Sequence, residues 1–218
     1  MKTDKRSILS FAMSAITALL VLAGIIVMIT VRGGPLTSSS WSVFKYFTFQ
    51  SNVFMGIIAI IYAAYQILII RKKKEKIPHV LNVFNHVATT AVSLTFVIVI
   101  AFLAPAYGFD KMYNNANLFF HGLVPLVAMI NYLFFEKNVR IRFIDTLFAM
   151  IPALSYGTVY FIVVAANNAY GDLKIDFYNF GANGPLMGAV NFISIVAISY
   201  TFGLFLYFIN NVVFKKRK

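Results

Sequence analysis

Long apolar runs separated by short polar segments make up most of the chain. Six of these runs reach the length of about 20 residues that a helix needs to cross a hydrocarbon core of about 30 Å. None of them alternates apolar and polar residues with a period of two, as the strands of a transmembrane barrel do. The runs cover approximately residues 8–31, 46–70, 80–104, 117–135, 143–166 and 186–214. The pattern therefore predicts an all-α, polytopic membrane protein in which residues 1–218 form a single domain of six transmembrane helices.

Basic residues are concentrated in every second connection between these runs. All but four of the 19 Lys and Arg residues lie before the first run, in segments 71–76 and 137–142, or after the last run. Cytoplasmic loops of membrane proteins are enriched in Lys and Arg, so both termini and both basic loops are predicted to be cytoplasmic. The even number of runs also places the two termini on one side. The charge pattern and the short loops are typical of a bacterial plasma-membrane protein.

The composition indicates that lipid is the solvent and narrows the chemistry. Charged residues make up 12% of the chain, whereas soluble domains contain about 25%. The net charge of +12 does not indicate a nucleic-acid partner, because the positive charges flank the apolar runs. The absence of cysteine excludes disulfides, a thiolate nucleophile and cysteine-ligated metals. The first run ends in R-G-G-P and not after a small-residue cleavage site, so we interpret it as a retained span and not as a signal peptide.

No metal or organic cofactor is predicted. The sequence has no H-E-x-x-H, G-x-S-x-G, G-x-G-x-x-G or Walker motif. His86 and His121 lie near opposite membrane faces, so they are a poor pair of axial ligands for one haem. The third histidine, His79, does not share a zinc-binding helical spacing with either of them.

Thr48 and His121 are the strongest candidates for chemistry. Thr48 lies in the stretch Trp41–Asn52, which reads W-S-V-F-K-Y-F-T-F-Q-S-N and leads into the second run. His121 lies about four residues into the fourth run, and both runs descend from the predicted outer side. At 1.5 Å per residue, both side chains are expected within about 3 to 8 Å of the outer boundary. A threonine hydroxyl becomes a nucleophile when a base such as neutral histidine accepts its proton, and the equal depth allows the two to meet.

Two polar residues on the second run are predicted to assist Thr48. Ser51 and Asn52 follow it by three and four residues, so both can share its helix face. Either side chain is a candidate to stabilise an oxyanion or to bind the substrate.

Further candidates surround His121. Asn117 precedes it by four residues and is a possible substrate-binding group. Pro125 follows it by four residues and is expected to permit a kink, because it lacks a backbone N–H. Two acids in the predicted outer loops, Asp110 and Asp176, are candidates to orient the His121 ring.

The polar residues also have structural interpretations. A lone threonine in a membrane helix commonly bonds to a backbone carbonyl or packs against another helix. Asp145, an acid inside the fifth run, is expected to pair with Arg140 or Arg142. A second polar patch near the predicted cytoplasmic end is interpreted as structural. It consists of Asn82, Asn85 and His86.

Four stretches near the predicted outer ends of the runs carry a family resemblance. They read W-S-V-F-K-Y-F-T-F at 41–49, A-Y-G-F-D-K-M-Y at 106–113, N-L-F-F-H-G-L-V-P at 117–125 and Y-N-F-G-A-N-G-P at 178–185. They resemble the androgen-induced and androgen-dependent membrane proteins, six-span threonine hydrolases that cleave fatty acid esters of hydroxy fatty acids. The stretch Y-F-T-F-Q-S-N at 46–52 is also similar to the bacterial six-pass branch of that superfamily.

The resemblance implies an integral membrane lipid-ester hydrolase. In that family a threonine at the entry to the second span and a histidine in the fourth span are functional, and these correspond to Thr48 and His121. A fatty acyl ester would be the substrate, and no cofactor would be required. The alternative hypothesis is a non-enzymatic lipid-binding or transport protein that uses the same polar groups to recognise a headgroup.

Overall fold

The computed structural model describes residues 5–31, 42–136 and 141–215, the last four of these by their backbone alone. In this part of the chain, six helices are long and apolar enough to cross a membrane. They are α1 (Lys5–Thr30), α2 (Phe47–Ile70), α3 (His79–Tyr107), α4 (Leu118–Phe135), α5 (Phe143–Ala166) and α6 (Pro185–Lys215). The prediction of an all-α protein with six spans is confirmed, and the predicted bounds lie within three residues of the observed ones.

The helices alternate in direction, so the bundle has two chemically different ends. We call them the basic end and the loop end. The basic end includes Lys5, Arg6, segment 71–76 and Arg142, whereas the loop end includes segments 42–46, 108–117 and 167–184. The membrane side that each end faces stays a prediction. Trp41, the first loop at 33–40, Lys137, Arg140 and the last three residues lie outside the described part of the chain.

Helix α3 is at the centre of the bundle. In its most apolar stretch 61% of residues are buried inside the protein, against 17–44% in the other five helices. Polar side chains are unfavourable in contact with lipid, so a helix that contains many of them is buried among other helices. Most of its hydroxyls bond to their own helix backbone, as Thr90 Oγ1 does to His86 O at 2.8 Å. The polar side chains buried on this helix are Asn82, Asn85, His86, Thr89, Thr90, Ser93 and Thr95.

Two glycines allow neighbouring helices to approach closely. A Cβ atom on Gly24 of α1 would lie 2.7 Å from the Phe120 ring of α4. A Cβ atom on Gly203 of α6 would lie 2.6 Å from the Ala149 Cβ of α5. Small residues at such contacts are typical of membrane bundles, in which helix association depends on close packing.

Proline changes the helical geometry at two points along the bundle. Pro105 follows a π-helical turn at Val99–Leu103, and Pro125 follows another at Leu118–Leu123. Because proline has no N–H, it cannot bond to the carbonyl four residues earlier, and the preceding turn widens. The second turn contains His121, in agreement with the local distortion predicted from Pro125. Single π-helical turns are frequent at functional sites.

Candidate functional site

A mostly apolar cavity opens at the loop end, between α2, α3, α5 and α6. It contains about 930 Å³ of empty space, part of it open to the surroundings. The apolar part of its wall is mainly Leu, Ile, Val and Phe from α3, α5 and α6. Its polar lining residues are Thr48, Thr95, Tyr156, Tyr160, Tyr170, Asp176 and Tyr178. An apolar cavity with a few convergent polar groups is the usual form of a small-molecule site.

Thr48 is half-buried and lines this cavity. It is the second residue of α2, and the residue four before it, Phe44, lies in a separate 3₁₀ helix at Ser42–Lys45. The carbonyl of Phe44 accepts the side-chain amide of Gln50 at 2.6 Å. The usual structural use of a membrane threonine, a bond to its own helix backbone, is therefore disfavoured at this position.

Asn52 joins the segments that contain Thr48 and His121. Its Nδ2 donates to the carbonyl of Thr48 at 2.8 Å and to the carbonyl of Phe120 at 3.0 Å. The rings of Phe49 and Phe120 also meet edge to face, 5.9 Å apart. Residues four apart on a helix differ by only about 40° in direction, so Thr48 lies on the side of α2 that faces α4. Phe120, the residue before His121, therefore contacts the face of α2 that includes Thr48.

The geometry changes the predicted role of Asn52. Both hydrogens of its amide are donated to backbone carbonyls, so neither is available for an oxyanion. Its function in this arrangement is to hold two helices in register. Ser51 differs, because its Oγ lies 3.1 Å from the carbonyl of Thr48 and 3.3 Å from Thr95 Oγ1 of α3. Thr95 lines the cavity and was not identified from the sequence, where it is one of several hydroxyl residues in an apolar run.

His121 is buried, with 7% of its surface exposed, and is held by a backbone group. Its Nδ1 lies 2.7 Å from the carbonyl of Met112. A carbonyl only accepts, so Nδ1 has the proton and Nε2 is the basic nitrogen of the neutral ring. Asn117 supports this arrangement, because its Nδ2 donates to the carbonyl of Lys111, next to Met112, at 3.1 Å. His121 is not one of the residues that line the described cavity.

Neither predicted aspartate is the partner of His121 Nδ1. Asp110 is exposed at the loop end. Asp176 is fully buried, and its carboxylate accepts hydrogen bonds from Tyr160 Oη at 2.5 Å and from three backbone N–H groups at 2.8 to 3.0 Å. The sequence prediction placed one of these acids behind His121, whereas the structure places a main-chain carbonyl there. A sequence motif cannot reveal this acceptor, since every residue has a carbonyl.

Asp176 organises the long segment 167–184 over the cavity. Its four donors come from α5 and from both ends of the segment, the N–H groups being those of Gly171, Phe180 and Gly181. Burial alone raises the pKa of the Asp176 carboxyl, but the bonds from Tyr160 and the backbone outweigh it, and the net pKa lies below the ordinary value. The carboxylate is therefore charged at neutral pH.

Tyrosines connect this segment to the start of α2. Tyr178 Oη accepts the backbone N–H of Phe47 at 3.0 Å. Tyr156 donates to the carbonyl of Lys45 at 2.5 Å. Burial raises the pKa of Tyr178 to about 12, so its hydroxyl stays neutral. The residue next to Thr48 is thus fixed by the segment that covers the cavity.

A separate polar network lies at the basic end. Asn85 Nδ2 donates to Glu136 Oε2 at 2.6 Å, and His86 Nδ1 lies 2.9 Å from Tyr132 Oη. The interpretation of Asn85 and His86 as a polar patch fits these contacts, but Glu136 was not recognised as buried. The predicted pairing of Asp145 with an arginine is confirmed, with Arg142 Nη2 at 2.9 Å. In the described part of the chain, no group of three or more acidic or histidine side chains is arranged to hold a metal.

Comparison of the chain with models of protein families, with characterised proteins and with solved structures gave no match. The fold and the site define a polytopic helical membrane protein with a mostly apolar cavity that has a few polar lining residues. The family resemblance of the four stretches remains a prediction, and function is argued from the geometry.

Replacing Asn52 with leucine is expected to destabilise the bundle. The substitution keeps the volume but removes both hydrogen bonds of Nδ2, of which the one to Phe120 O joins α2 to α4. A hydrogen bond between membrane helices contributes about 0.6 to 2 kcal/mol. Asn167→Leu is the matched control, because exposed Asn167 donates only to Val163 O of its own helix at 2.8 Å. Thermal unfolding in detergent should show a larger fall in Tm for Asn52→Leu. Equal shifts would contradict the assigned role.

Proposed function

We propose that the protein hydrolyses lipid esters, with Thr48 as nucleophile and His121 as base. The observation that supports this most directly is the Asn52 bridge, which ties the backbone of Thr48 to that of the residue before His121. Thr48 is one of the few polar residues that line a mostly apolar cavity. The substrate class that fits is a fatty acid ester of a hydroxy fatty acid or a similar lipid ester.

The proposed reaction has two stages. Thr48 Oγ1 attacks the ester carbonyl carbon while its proton passes to His121 Nε2. The bond to the alcohol oxygen then breaks, and the alcohol leaves with the proton from His121. In the second stage His121 Nε2 takes a proton from water, which attacks the acyl-threonine. The bond from the acyl carbon to Thr48 Oγ1 then breaks, and Oγ1 takes the proton back from His121 as the carboxylic acid is released. The hydrogen bond from Nδ1 to Met112 O leaves Nε2 free to accept a proton at the start of each stage.

Two features favour the negative charge that develops on the carbonyl oxygen. Thr48 lies in the first turn of the 24-residue helix α2, where the helix dipole stabilises negative charge. The paired hydroxyls of Ser51 and Thr95 lie on the neighbouring turn, and Thr95 borders the cavity. A hydroxyl donor is suited to an oxyanion because it is short and can rotate towards the charge.

The apolar wall supplies binding energy for the acyl chain. Each buried CH₂ group contributes about 0.8 kcal/mol. Leu94, Ile98 and Phe192 line the cavity beyond the level of Thr48. A chain lying there would have its ester group next to the Thr48 hydroxyl.

Covalent labelling tests the proposal. Purified protein in detergent is incubated with an alkyl fluorophosphonate, which reacts with activated hydroxyl nucleophiles, and the modified peptide is located by mass spectrometry. We expect modification at Thr48 together with turnover of long-chain ester lipids. The control is Thr201, an exposed residue whose hydroxyl bonds to its own helix at Ala197 O, and it should stay unmodified. Ester turnover with the label on another residue would contradict the assignment.

A lipid-binding or transport function is the second candidate. The specific observation in its favour is that the cavity is lined by Thr48 and not by His121, so it can hold an acyl chain without the base. Native mass spectrometry of the protein with an added ester separates the two functions. Binding without any hydrolysis product supports the second candidate, and release of acid and alcohol supports the first.

A further inference from the structure

A buried carboxyl at the basic end belongs to none of the chemistry described above. Glu136 directly follows the last residue of α4, and only 3% of its surface is exposed. Oε2 accepts the side-chain amide of Asn85 at 2.6 Å, and Oε1 accepts that of Asn131 at 3.1 Å. Both donors are neutral amides. Among the described residues, the ion pairs of this end join Asp145 to Arg142 and His79, and neither includes Glu136.

A buried carboxylate without a cation is unfavourable, because neutral amides replace only part of its hydration. The group can lower this cost by taking up a proton. Burial raises the pKa of Glu136 to about 8, and the hydrogen bond from Asn85 opposes the rise. The charged form and the neutral form are therefore both accessible near neutral pH.

The amide of Asn131 is arranged to serve both forms. Its Nδ2 donates to Glu136 Oε1 and, at 3.0 Å, to Ser14 Oγ of α1. Its Oδ1 is buried and has no hydrogen-bond partner in the described structure. The present orientation suits a charged Glu136, which needs donors. Rotating the amide by half a turn would present Oδ1 to Glu136 and to the Ser14 hydroxyl, which suits a protonated carboxyl that must donate.

We propose that Glu136, with the amides of Asn85 and Asn131, forms a proton-binding site at the basic end of the bundle. Its ligand is a proton from the solution that bathes this end. The Asn131 amide changes orientation with the charge of Glu136, so the hydrogen bonds that join α1, α3 and α4 respond to pH. This site lies at the opposite end from Thr48 and does not depend on the proposed hydrolysis.

In the described part of the chain, no other titratable group around Glu136 forms an ion pair with it. Tyr132 of the same helix and Tyr62 of α2 belong to one buried cluster near this site, and an ordinary phenol has a pKa of about 10. On α3, His86 bonds to Tyr132. Asp145 of α5 is already paired with Arg142 and His79. From α6, Tyr207 packs against the cluster that contains Tyr132, and the contact from α1 is the Ser14 hydroxyl.

Infrared difference spectroscopy of the whole protein in lipid nanodiscs tests the proposal. A protonated carboxyl has a C=O band that disappears on ionisation, and the titration is followed from pH 5 to pH 10. We expect a band that disappears with a midpoint at least one pH unit above the ordinary glutamate value of about 4.3. Glu136→Gln should remove this band, and Glu75→Gln, at an exposed loop position, should leave it in place.

A second variant keeps the proposal testable if Glu136→Gln does not fold. Asn85→Ala removes the donor to Glu136 Oε2, whose hydrogen bond favours the charged form, so the midpoint should rise in this variant. A carboxyl band that Glu136→Gln leaves unchanged, or a midpoint in the ordinary range, would overturn the proposal. A midpoint that falls as Na⁺ replaces a bulky organic cation would also overturn it, because the bound ligand would then be a metal cation.

Discussion

Ester turnover by the Thr48→Ala variant is expected to fall to the uncatalysed background. The variant lacks the oxygen that forms the acyl intermediate in the proposed reaction. Thr48→Ser keeps the hydroxyl and should retain part of the activity. His121→Ala keeps the nucleophile but removes its base, and general-base catalysis contributes about 10² to 10⁴-fold. The measurement is kcat/KM for a long-chain ester, with purified variants in detergent.

The controls for these variants address folding. Thr201→Ala makes the same chemical change at an exposed position on α6 and should have wild-type kcat/KM. Thermal unfolding of Thr48→Ala and His121→Ala should show that the bundle remains folded. If both alanine variants keep full activity, Thr48 and His121 do not form a catalytic pair.

Asp176→Ala is expected to have the largest effect on stability. The variant leaves the Tyr160 hydroxyl and three backbone N–H groups without their acceptor. A hydrogen bond to a charged group contributes about 1.5 to 3 kcal/mol, so the loss of four should exceed about 3 kcal/mol even when the bonds are not additive. Segment 167–184 should then detach from the cavity. Asp172→Ala is the control, since exposed Asp172 accepts through its side chain only from Lys174 N.

The same carboxylate predicts how stability depends on pH. Its folded pKa is lower than its ordinary value, so its contribution is present above the unfolded pKa of about 3.9. The contribution is lost as the pH falls through the lower folded pKa. Unfolding by denaturant at pH 7 and in acid should therefore show an acid-dependent loss in the wild type that is smaller in Asp176→Ala. Limited proteolysis within 167–184 should increase in Asp176→Ala but not in Asp172→Ala.

The six spans could be predicted from the sequence because lipid imposes a simple requirement. A helix in hydrocarbon satisfies its own backbone and needs only length and apolar side chains. The pairing of Arg142 with Asp145 was also predictable, since the residues are three apart at the start of a helix. Such local or composition-driven features do not depend on how the helices are arranged.

Contacts between distant segments could not be predicted in the same way. The partner of His121 Nδ1 is a main-chain carbonyl at Met112, nine residues earlier. The role of Asp176 depends on a fold of segment 167–184 that includes Asn168 and Asn179 at positive φ. Glu136 lies directly after an apolar run, and its position in the sequence does not indicate that it is buried. Its burial results from packing against Asn85 of another helix.

The central position of α3 has a consequence for how the protein enters the membrane during synthesis. A helix with two asparagines and a histidine along one side is a poor candidate for stable insertion by itself. The His86 ring lies next to Gly203 of α6, the last span to be made. Without that span, the His86 side of α3 lacks its neighbour at Gly203. A chain truncated before α6 is therefore expected to be less resistant to proteolysis in membranes than the full chain.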